Sequence, residues 1–318
     1  MKNFSAIIIG GTGQFGILMS HLLEKKNYKV FITSRFNKKK AKLKKSYKKL
    51  NLIKLNVLNK KEIKNTLTKI NPTLVFYFAG QSSPQLSFRM KKETLKSNFN
   101  GCKNVLEVIK ENNLNCKFLN AASSEMYGHI KGRINLSTNK KPLSPYGDAK
   151  KKAFNLVKEY RVKYGMKNYN AILFNSESYL RKRNFLIPKI CLAAINAHKY
   201  GSKTTLNNIL VSREWNWCQT QCELITKFLK KKPQDFISSN GKCFSIKEML
   251  FFAFKYFKLD YRDFIKVKEY SLKKNEVKTK KTNYLQCLKK NNIKMNFKIH
   301  GRLLITKMIK FYLNEKRF

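Results

Sequence analysis

The residues whose chemistry is most direct to interpret are a tyrosine and a lysine in the segment Tyr146-Gly-Asp-Ala-Lys150. Spacing of four residues on a helix places both side chains on one face, and Pro145 is typical of a helix start. A free tyrosine has a pKa of about 10, which is too high for a general base at neutral pH, but a nearby ammonium favours the phenolate. The pair therefore predicts a phenol that removes a proton from a hydroxyl group.

A second group follows a predicted strand, in the segment Ser123-Ser-Glu125. Open parallel sheets bind ligands at the carboxyl ends of their strands, which is where Ser123 would lie. Its hydroxyl could donate to the substrate oxygen that loses its proton, and the Glu125 carboxylate could remove a second proton, from carbon. The ordinary interpretations are a loop glutamate and a surface Tyr–Lys pair. We predict that the catalytic residues are Ser123, Glu125, Tyr146 and Lys150.

A glycine-rich segment, Gly10-Gly-Thr-Gly-Gln-Phe-Gly16, lies well before the tyrosine. A short apolar strand at 5–10 precedes it, and a helical stretch at 17–26 follows it. In this strand–turn–helix order, glycines let the backbone approach a dinucleotide pyrophosphate while the helix amino terminus faces the anion. The cofactor contacts predicted in this turn are Gly10, Thr12, Gly13, Gln14, Phe15 and Gly16.

The end of the second predicted strand, Tyr28–Ser34, bears on the choice between NAD and NADP. An acidic residue there would accept a hydrogen bond from the ribose 2′-hydroxyl, whereas Arg35 can hold a 2′-phosphate. Positions 33–37 contain no carboxylate, so the sequence favours NADP, although Arg35 could also be an ordinary surface cation. Asn56 and Val57, after the third strand, are predicted to contact the adenine.

Strand and helix candidates alternate along the first part of the chain. The strands are 5–10, 28–34, 52–57, 74–79, 117–121 and 170–174, and the helices are 17–26, 61–70, 91–111 and 146–164. This alternation predicts an α/β fold with a doubly wound parallel sheet. After Asn175 the regular alternation stops, and helices follow at 187–197, 222–230, 246–257 and 302–314. We predict a cofactor-binding domain at 1–175, to which the chain returns around 211–238, and a smaller, mostly helical substrate-binding domain at 176–318.

The chain has 318 residues, enough for one large domain or two smaller ones, and a formal net charge of +50. The excess is dominated by 58 lysines, against 10 arginines, and it is spread along the whole chain. Base-reading surfaces favour arginine, so we interpret the charge as a compositional bias and predict no specific nucleic-acid partner. The charge should still attract anionic nucleotides. The lysine-rich loop 37–49 and the polar stretch 271–283 are predicted to be mobile.

Cysteine and hydropathy patterns indicate a reducing compartment and no membrane segment. The seven cysteines are odd in number, and Cys218 and Cys222 lack a second pair or a neighbouring histidine, so we predict no metal site. No uncharged apolar stretch approaches the roughly 20 residues that cross a bilayer. The first apolar run ends directly in glycines, unlike a signal peptide. The sequence predicts a soluble, cytoplasmic protein.

Several segments together resemble one enzyme family. They are Gly10-Gly-Thr-Gly-Gln-Phe-Gly16, Ala79-Gly-Gln-Ser82, Ser123-Ser-Glu-Met-Tyr-Gly128, Ser144-Pro-Tyr-Gly-Asp-Ala-Lys150, Ile172-Leu-Phe-Asn-Ser-Glu-Ser178, Ser212-Arg-Glu-Trp215, Asp235-Phe-Ile237 and Phe244-Ser-Ile246. They are similar to motifs of the extended short-chain dehydrogenase/reductase family, and more narrowly of its GDP-mannose 4,6-dehydratase branch. The resemblance covers residues 4–250 well and the remainder faintly. Leu173-Phe-Asn-Ser-Glu-Ser178 and Arg213-Glu-Trp215 point to the branch.

The resemblance implies a Rossmann-type cofactor domain, a homodimer or homotetramer, and a cycle in which a hydride leaves the sugar and returns. Tyr146 would deprotonate the C4 hydroxyl of GDP-mannose while hydride passes from C4 to NADP⁺. Glu125 would remove the C5 proton, water would leave from C6, and hydride would return to C6. Further cofactor contacts implied are Ala79, Gly80, Ser82, Tyr146, Lys150 and Arg181, and implied substrate contacts are Ser83, Asn175, Lys189, Arg213 and Glu276. By position, Asn175 and Arg213 would hold the diphosphate and Glu276 the nucleotide ribose.

The chain also departs from this branch, which leaves two alternatives open. Ser176 stands where the branch has histidine, and Tyr179-Leu-Arg-Lys182 stands where it has Pro-Arg-Arg-Gly, leaving only Arg181 at a matching cofactor position. One alternative is another sugar-nucleotide enzyme on the same scaffold: an epimerase, a decarboxylase or a 4-keto reductase. The other is a cofactor-binding but catalytically weak protein with a structural or regulatory role. Glu125 argues against a simple reductase, which needs no second base.

Overall fold

The computed structural model describes residues 4–35, 51–268 and 277–314. The predicted mobile loop 37–49 lies outside these residues, and so do positions 271–276 of the second predicted mobile stretch, including Glu276. Contacts divide the chain into two compact units. The first contains Met1–Gly128, Leu136–Leu173 and Cys222–Ser238, and the second contains His129–Asn135, Phe174–Gln221 and Ser239–Phe318.

Seven strands of the first unit form one sheet. They are β1 (Ser5–Ile9), β2 (Lys29–Ser34), β3 (Asn51–Lys54), β4 (Leu74–Tyr77), β5 (Lys117–Ser123), β6 (Asn168–Leu173) and β7 (Asp235–Ser238). All neighbours pair in parallel, in the order β7-β6-β5-β4-β1-β2-β3. The order reverses between β1 and β4, the switch point where open sheets bind ligands beyond the strand ends. The predicted α/β class with a doubly wound parallel sheet is confirmed.

The central strands are buried because their sequences are continuously apolar. The side chains of Ala6–Ile9 in β1 and of Phe118 and Leu119 in β5 have no exposed surface. Such runs are typical of parallel strands that are covered by helices on both faces of the sheet. The same runs made these strands predictable from the sequence, within two or three residues at their ends.

Twelve α-helices occur within the described residues. They are α1 (Gln14–Glu24), α2 (Lys60–Ile70), α3 (Pro84–Arg89), α4 (Lys91–Leu95), α5 (Gly101–Glu111), α6 (Pro145–Tyr164), α7 (Leu186–Tyr200), α8 (Cys218–Phe228), α9 (Ile246–Lys255), α10 (Tyr261–Phe264), α11 (Tyr284–Lys290) and α12 (Gly301–Asn314). A π-helical turn, Lys96–Asn100, joins α4 to α5, so the helix predicted at 91–111 has three parts. In the described ranges, none of the helices has both the length and the apolar character needed to cross a membrane.

Helix α6 begins where its sequence directs. The Ser144 hydroxyl accepts a hydrogen bond from the Gly147 backbone N–H at 3.1 Å and so caps the helix. Pro145 occupies the first helical position, where no N–H is needed. The cap and the proline together fix the first turn, which carries the predicted catalytic tyrosine.

The second unit packs helices α7, α9 and α12 around an apolar core. Its fully buried side chains include Ile190, Ala194, Leu250, Leu304 and Met308. Four short strand pairs accompany the helices: Ser212–Glu214 with Cys243–Ser245, Asn216–Trp217 with Ser176–Glu177, Thr204–Leu206 with Ile265–Val267, and Arg133–Ile134 with Lys281–Thr282. Strands of two or three residues are too short to show an alternating pattern, so the sequence did not predict them.

Candidate active site

The glycine turn joins β1 to α1, and the fold itself requires two of its glycines. Gly10 has a φ of +84°, and a Cβ there would lie 2.5 Å from the backbone nitrogen of Ala79. A Cβ on Gly16 would lie 2.4 Å from the carbonyl oxygen of Gly11. Both distances are far inside van der Waals contact, so a larger residue at either position would push α1 or the end of β4 out of place.

Gly13 differs from these two because no described residue crowds it. A Cβ there would meet only the Gly10 carbonyl oxygen, at 3.6 Å. Its φ of −84° is open to any residue, and it is the cap residue of α1, which as a glycine forms no side-chain capping hydrogen bond. The space beside this helix amino terminus therefore fits a diphosphate, which such a terminus attracts.

The end of β2 is fixed against the glycine turn. The backbone N–H of Gly10 donates to the Thr33 hydroxyl at 3.3 Å, and that of Gly11 donates to the Thr33 carbonyl at 3.0 Å. Arg35 follows directly and is exposed. Arg35 is the residue that the sequence analysis predicts to hold a 2′-phosphate on the adenosine ribose of a dinucleotide.

Two other segments predicted to contact the cofactor have fixed main chains. After β3, the Asn56 N–H donates to Glu62 Oε2 at 2.9 Å, and Asn104 Nδ2 donates to the Val57 carbonyl at 3.0 Å. After β4, Asn98 Nδ2 donates to the Gln81 carbonyl at 3.1 Å. This bond holds the loop that carries Ala79, Gly80, Ser82 and Ser83. Both loops follow the carboxyl ends of strands of the parallel sheet, β3 and β4, which are separated by β1 and β2.

Ser123 and Glu125 meet the first turn of α6 at the carboxyl end of β5. The Ser123 hydroxyl accepts a hydrogen bond from the Glu125 N–H at 3.2 Å, and Glu125 is half-buried. A Cβ on Gly147 would lie 2.4 Å from the Glu125 carbonyl oxygen, so only glycine allows the two backbones to approach this closely. This contact places residues 125 and 146 on the same side of the sheet.

Lys150 is buried next to Tyr146. Its Nζ donates to the Ala121 carbonyl at 2.9 Å and lies 5.8 Å from the centroid of the Tyr146 ring. Burial lowers the pKa of Lys150 to about 8, against an opposing effect of Cys102. At neutral pH the lysine is therefore still mostly an ammonium, and its charge favours ionisation of the adjacent phenol.

Tyr146 is also held by a residue that the sequence analysis did not identify. Its backbone N–H donates to the Ser87 hydroxyl at 3.1 Å, across 59 positions of sequence. The Ser87 hydroxyl in turn donates to the Pro84 carbonyl at 2.5 Å. A single serine in a short helix carries no sequence signal for such a contact, since the partner is set by the tertiary fold.

Four other predicted ligand residues lie in the second unit: Asn175, Arg181, Lys189 and Arg213. Arg213 Nη1 donates to the carbonyls of Ser212 at 2.8 Å and of Lys278 at 3.4 Å, so main-chain oxygens of its own unit orient the guanidinium. Lys189 is exposed on α7. Glu276, also predicted to contact the substrate, is outside the described residues.

Hydrogen bonds to the main chain fix both Asn175 and the side chain of Ser176. The Asn175 carbonyl accepts from the Asn216 N–H at 2.8 Å and from Asn216 Nδ2 at 3.2 Å. Ser176 is buried, and its hydroxyl donates to the Phe174 carbonyl at 2.8 Å. Within this unit the serine hydroxyl thus stabilises the main chain around residue 175.

Arg181 faces a buried carboxylate. Its Nε lies 3.9 Å from Glu177 Oε2, and its Cζ lies 3.7 Å from the centroid of the Phe185 ring. Neither Glu177 Oε2 nor Arg181 Nε has a hydrogen-bond partner among the described residues. Burial raises the pKa of Glu177 to about 7, while the charge of Arg181 opposes the shift.

The cysteine thiols and the possible metal-ligating side chains form no disulfide and no metal site in the described part of the chain. All seven cysteines are free, and no group of three or more His, Cys, Asp or Glu side chains there lies close enough to hold a metal ion. Burial raises the pKa of Cys102 to about 12, so this thiol near Lys150 stays protonated at neutral pH.

Comparison with known proteins identifies the family. The family model described as GDP-mannose 4,6 dehydratase matches residues 7–297. The chain belongs to this family. GDP-mannose 4,6 dehydratase 1 of Arabidopsis thaliana is 29% identical over 296 residues, which are 86% of this chain and 80% of the relative. The resemblance stated from the sequence motifs is confirmed.

Solved structures show how widely the GDP-mannose 4,6-dehydratase fold is shared. UDP-glucose 4-epimerase of Thermus thermophilus, in complex with NAD, superposes with a TM-score of 0.85 at 15% identity, over 98% of this chain and 100% of that chain. DesIV, a dTDP-glucose 4,6-dehydratase of Streptomyces venezuelae with NAD and TYD bound, superposes with a TM-score of 0.85 at 15% identity, over 98% of both chains. An epimerase and a dehydratase share this fold, so only the site residues can separate the reactions.

Proposed function

We propose that this chain is a sugar-nucleotide 4,6-dehydratase that converts GDP-mannose to GDP-4-keto-6-deoxymannose. The proposal is supported by the close approach of the Glu125 carbonyl to Gly147 in the first turn of α6, and by Lys150 Nζ, which lies 5.8 Å from the centroid of the Tyr146 ring. Oxidation at one carbinol needs a single base, whereas loss of water across C5 and C6 needs a second. Glu125 supplies that second base, and the family match supports the substrate.

The first proton transfer belongs to Tyr146. The Lys150 ammonium favours its phenolate, which removes the proton of the C4 hydroxyl, and the Ser123 hydroxyl donates to the same substrate oxygen. Bound nicotinamide cofactor supplies a hydride acceptor for C4 and a hydride donor for C6. The space beside Gly13 and the uncapped amino terminus of α1 fit the pyrophosphate of that cofactor.

Glu125 is the acid/base group for the elimination of water. The 4-keto group acidifies the C5 hydrogen, and the Glu125 carboxylate removes it as a proton. Protonated Glu125 then donates to the departing C6 hydroxyl, which leaves as water. When hydride returns to C6, the phenol of Tyr146 gives C5 the proton that it took from the C4 hydroxyl. The balance is loss of one water, with the cofactor and both side chains restored.

We infer that the cofactor is NADP and that the second unit binds the sugar nucleotide. Arg35 is exposed directly after β2, and positions 33–37 hold no carboxylate to accept from a 2′-hydroxyl. Arg213 and Asn175 are proposed to hold the diphosphate, with Lys189 and Glu276 as further contacts, and Arg181 to meet the cofactor. We also propose a homodimer or homotetramer.

A product assay with a matched variant pair tests the proposal. Purified protein is incubated with a panel of sugar nucleotides and NADP⁺ well below their concentration, and 4-keto product is measured. We expect product from GDP-mannose over many turnovers of cofactor, whereas a reductase would consume NADPH in equal amounts and an epimerase would release no water. NADP is expected to bind more tightly than NAD. Absence of a 4-keto product from every sugar nucleotide would contradict the proposal.

Glu125→Gln is expected to keep substrate binding and to lower turnover by roughly 10²-fold or more, the usual scale for a lost acid/base group. The matched control is Glu159→Gln, which removes an exposed carboxylate from α6 and should leave turnover unchanged. Equal turnover in the two variants would remove Glu125 from the mechanism.

A further inference from the structure

The first turn of α6 has three backbone N–H groups whose partners come from different places. As at any helix start, the N–H groups of Tyr146 and Gly147 have no acceptor within the helix, whereas that of Asp148 makes the first intrahelical hydrogen bond. The Gly147 N–H donates to the Ser144 hydroxyl at 3.1 Å, and the Asp148 N–H donates to the Ser144 carbonyl at 3.0 Å. The Tyr146 N–H alone reaches another element of the fold, because its acceptor is the hydroxyl of Ser87.

The Ser87 hydroxyl is arranged to accept from Tyr146. Ser87 has no exposed surface. A hydroxyl has one hydrogen to donate and two lone pairs to accept with. The hydrogen of Ser87 is directed to the Pro84 carbonyl at 2.5 Å, within α3, so an oxygen lone pair is left for the Tyr146 N–H at 3.1 Å.

Helix α3 in turn starts at a predicted substrate contact. The Ser83 hydroxyl caps α3 by accepting from the Leu86 N–H at 3.2 Å. The Gln81 side chain brackets Ser83: its Nε2 donates to the Ser83 carbonyl at 2.6 Å, and its Oε1 accepts from the Ser83 N–H at 2.9 Å. One hydrogen-bonded segment, residues 81–87, therefore carries both Ser83 and the acceptor for Tyr146.

We propose that Ser87 is a positioning residue that fixes the Tyr146 main chain relative to the segment carrying Ser83. The role adds to the proposed dehydratase function and depends on it for its kinetic consequence. Lys150 has an anchor of its own on the Ala121 carbonyl, so loss of Ser87 would release the phenol while the ammonium stays in place. A small displacement of a reacting group is costly because proton transfer needs hydrogen-bond geometry.

The test compares Ser87→Ala with Ser87→Thr, which keeps the hydroxyl. Amide hydrogen exchange at Tyr146, kcat, KM for GDP-mannose and the dinucleotide Kd are measured for each. We expect Ser87→Ala to deprotect the Tyr146 amide and to lower kcat by roughly tenfold or more, with the dinucleotide Kd unchanged. Ser87→Thr is expected to restore both amide protection and kcat.

Ser20→Ala is the matched control. Ser20 is also fully buried, but its hydroxyl donates at 2.8 Å to a carbonyl of its own helix, that of Ile17. Its loss should lower the melting temperature without changing kcat, which separates positioning from general stability. If Ser87→Ala is too unstable to purify, Ser87→Cys provides a similar volume with a much weaker acceptor and carries the same expectations.

Two results would overturn the proposal. One is a Tyr146 amide that stays protected in the Ser87 variants without a hydroxyl. The other is a kcat that falls no further in those variants than in Ser20→Ala. If the unsubstituted protein forms no 4-keto product from any sugar nucleotide, the dehydratase assignment fails instead, and the exchange measurement still decides whether Ser87 holds Tyr146.

Discussion

Lys150 and Tyr146 depend on each other through their charge states. The ammonium has one main-chain acceptor, the Ala121 carbonyl, and is otherwise surrounded by protein, so burial lowers its pKa to about 8. Its positive charge favours the phenolate only while the proton is retained. The pair therefore has an upper limit of pH, at which Lys150 loses its proton.

We predict that kcat/KM falls as pH rises above about 8, because the neutral amine no longer stabilises the phenolate. Lys150→Arg retains its charge throughout this range, so its alkaline limb should move to higher pH, at a lower overall rate because the guanidinium does not fit an amine site. A profile of kcat/KM against pH for both proteins measures this. An alkaline limb at the same pH in both would show that Lys150 is not the titrating group.

Single residues differ in how visible they are in the sequence. Tyr146 and Lys150 were predicted to lie together because four-residue spacing places both on one helix face, and Lys150 Nζ lies 5.8 Å from the centroid of the Tyr146 ring. Ser87 was not found, because its partner lies 59 positions away and only the fold brings them together. The close approach of Gly147 to the Glu125 carbonyl was missed for the same reason, although a glycine in the first turn of a helix was a weak indication.

The turn between β1 and α1 shows how one element divides its residues between the fold and the ligand. Gly10 and Gly16 have backbone atoms within about 2.5 Å of any added Cβ, so they serve the fold. Gly13 has only the Gly10 carbonyl oxygen within reach, at 3.6 Å. The fold therefore does not require glycine at position 13, and we propose that the requirement comes from a bound dinucleotide.

We predict that Gly13→Ala folds with a melting temperature close to that of the unsubstituted protein. Its affinity for NADPH should fall by roughly tenfold or more, because the added methyl group would occupy the space proposed for the pyrophosphate. Gly16→Ala is the comparison and should unfold at a clearly lower temperature, because the new Cβ meets the Gly11 backbone. Thermal melting and a fluorescence titration with NADPH measure the two effects. Tight NADPH binding by Gly13→Ala would contradict this division of roles.

Regular elements were predictable, and irregular ones were not. The strands β1, β4 and β5 are continuous apolar runs, and α6 has a cap, a first-turn proline and a glycine after its end. Helix α3 begins with the same pattern, a capping Ser83 followed by Pro84, but it is only six residues long and the sequence analysis did not identify it. The π-helical turn Lys96–Asn100 has no side-chain cap and no such pattern.

The stability of the folded chain should depend on pH through Glu177. Its carboxyl group is buried, faces Arg181 and the Cys191 thiol, and has one oxygen without a hydrogen-bond partner among the described residues. Burial raises its pKa from 4.5 to about 7. Between these values the folded state keeps a proton that the unfolded state has lost, so the free energy of unfolding falls as pH rises through this window.

We predict that Glu177→Gln is more stable than the unsubstituted protein at pH 8, by on the order of 1–3 kcal/mol, and that the difference nearly disappears at about pH 4.5. The amide has the shape of the protonated carboxyl and cannot ionise. Urea unfolding at both pH values measures the difference. A stability difference that does not change with pH would show that Glu177 is not buried as a titrating group.

Composition and motifs point to different classes of partner for this chain. A net charge of +50 suggests polyanion binding, yet the family match covers residues 7–297 and assigns the chain to sugar-nucleotide enzymes. In an open parallel sheet the strand order and the strand ends, rather than the surface charge, determine where ligands bind. Fold class and family were therefore predictable from motifs, while NADP is proposed over NAD on the basis of Arg35.

The most direct measurement follows one hydrogen atom. GDP-mannose carrying deuterium at C4 is incubated with the purified protein and NADP⁺ at a small fraction of the substrate concentration. We predict a 4-keto-6-deoxy product with the deuterium at C6, because the hydride that leaves C4 returns to the same sugar. A product without deuterium at C6, deuterium retained on the cofactor, or no loss of water would contradict the proposed dehydratase.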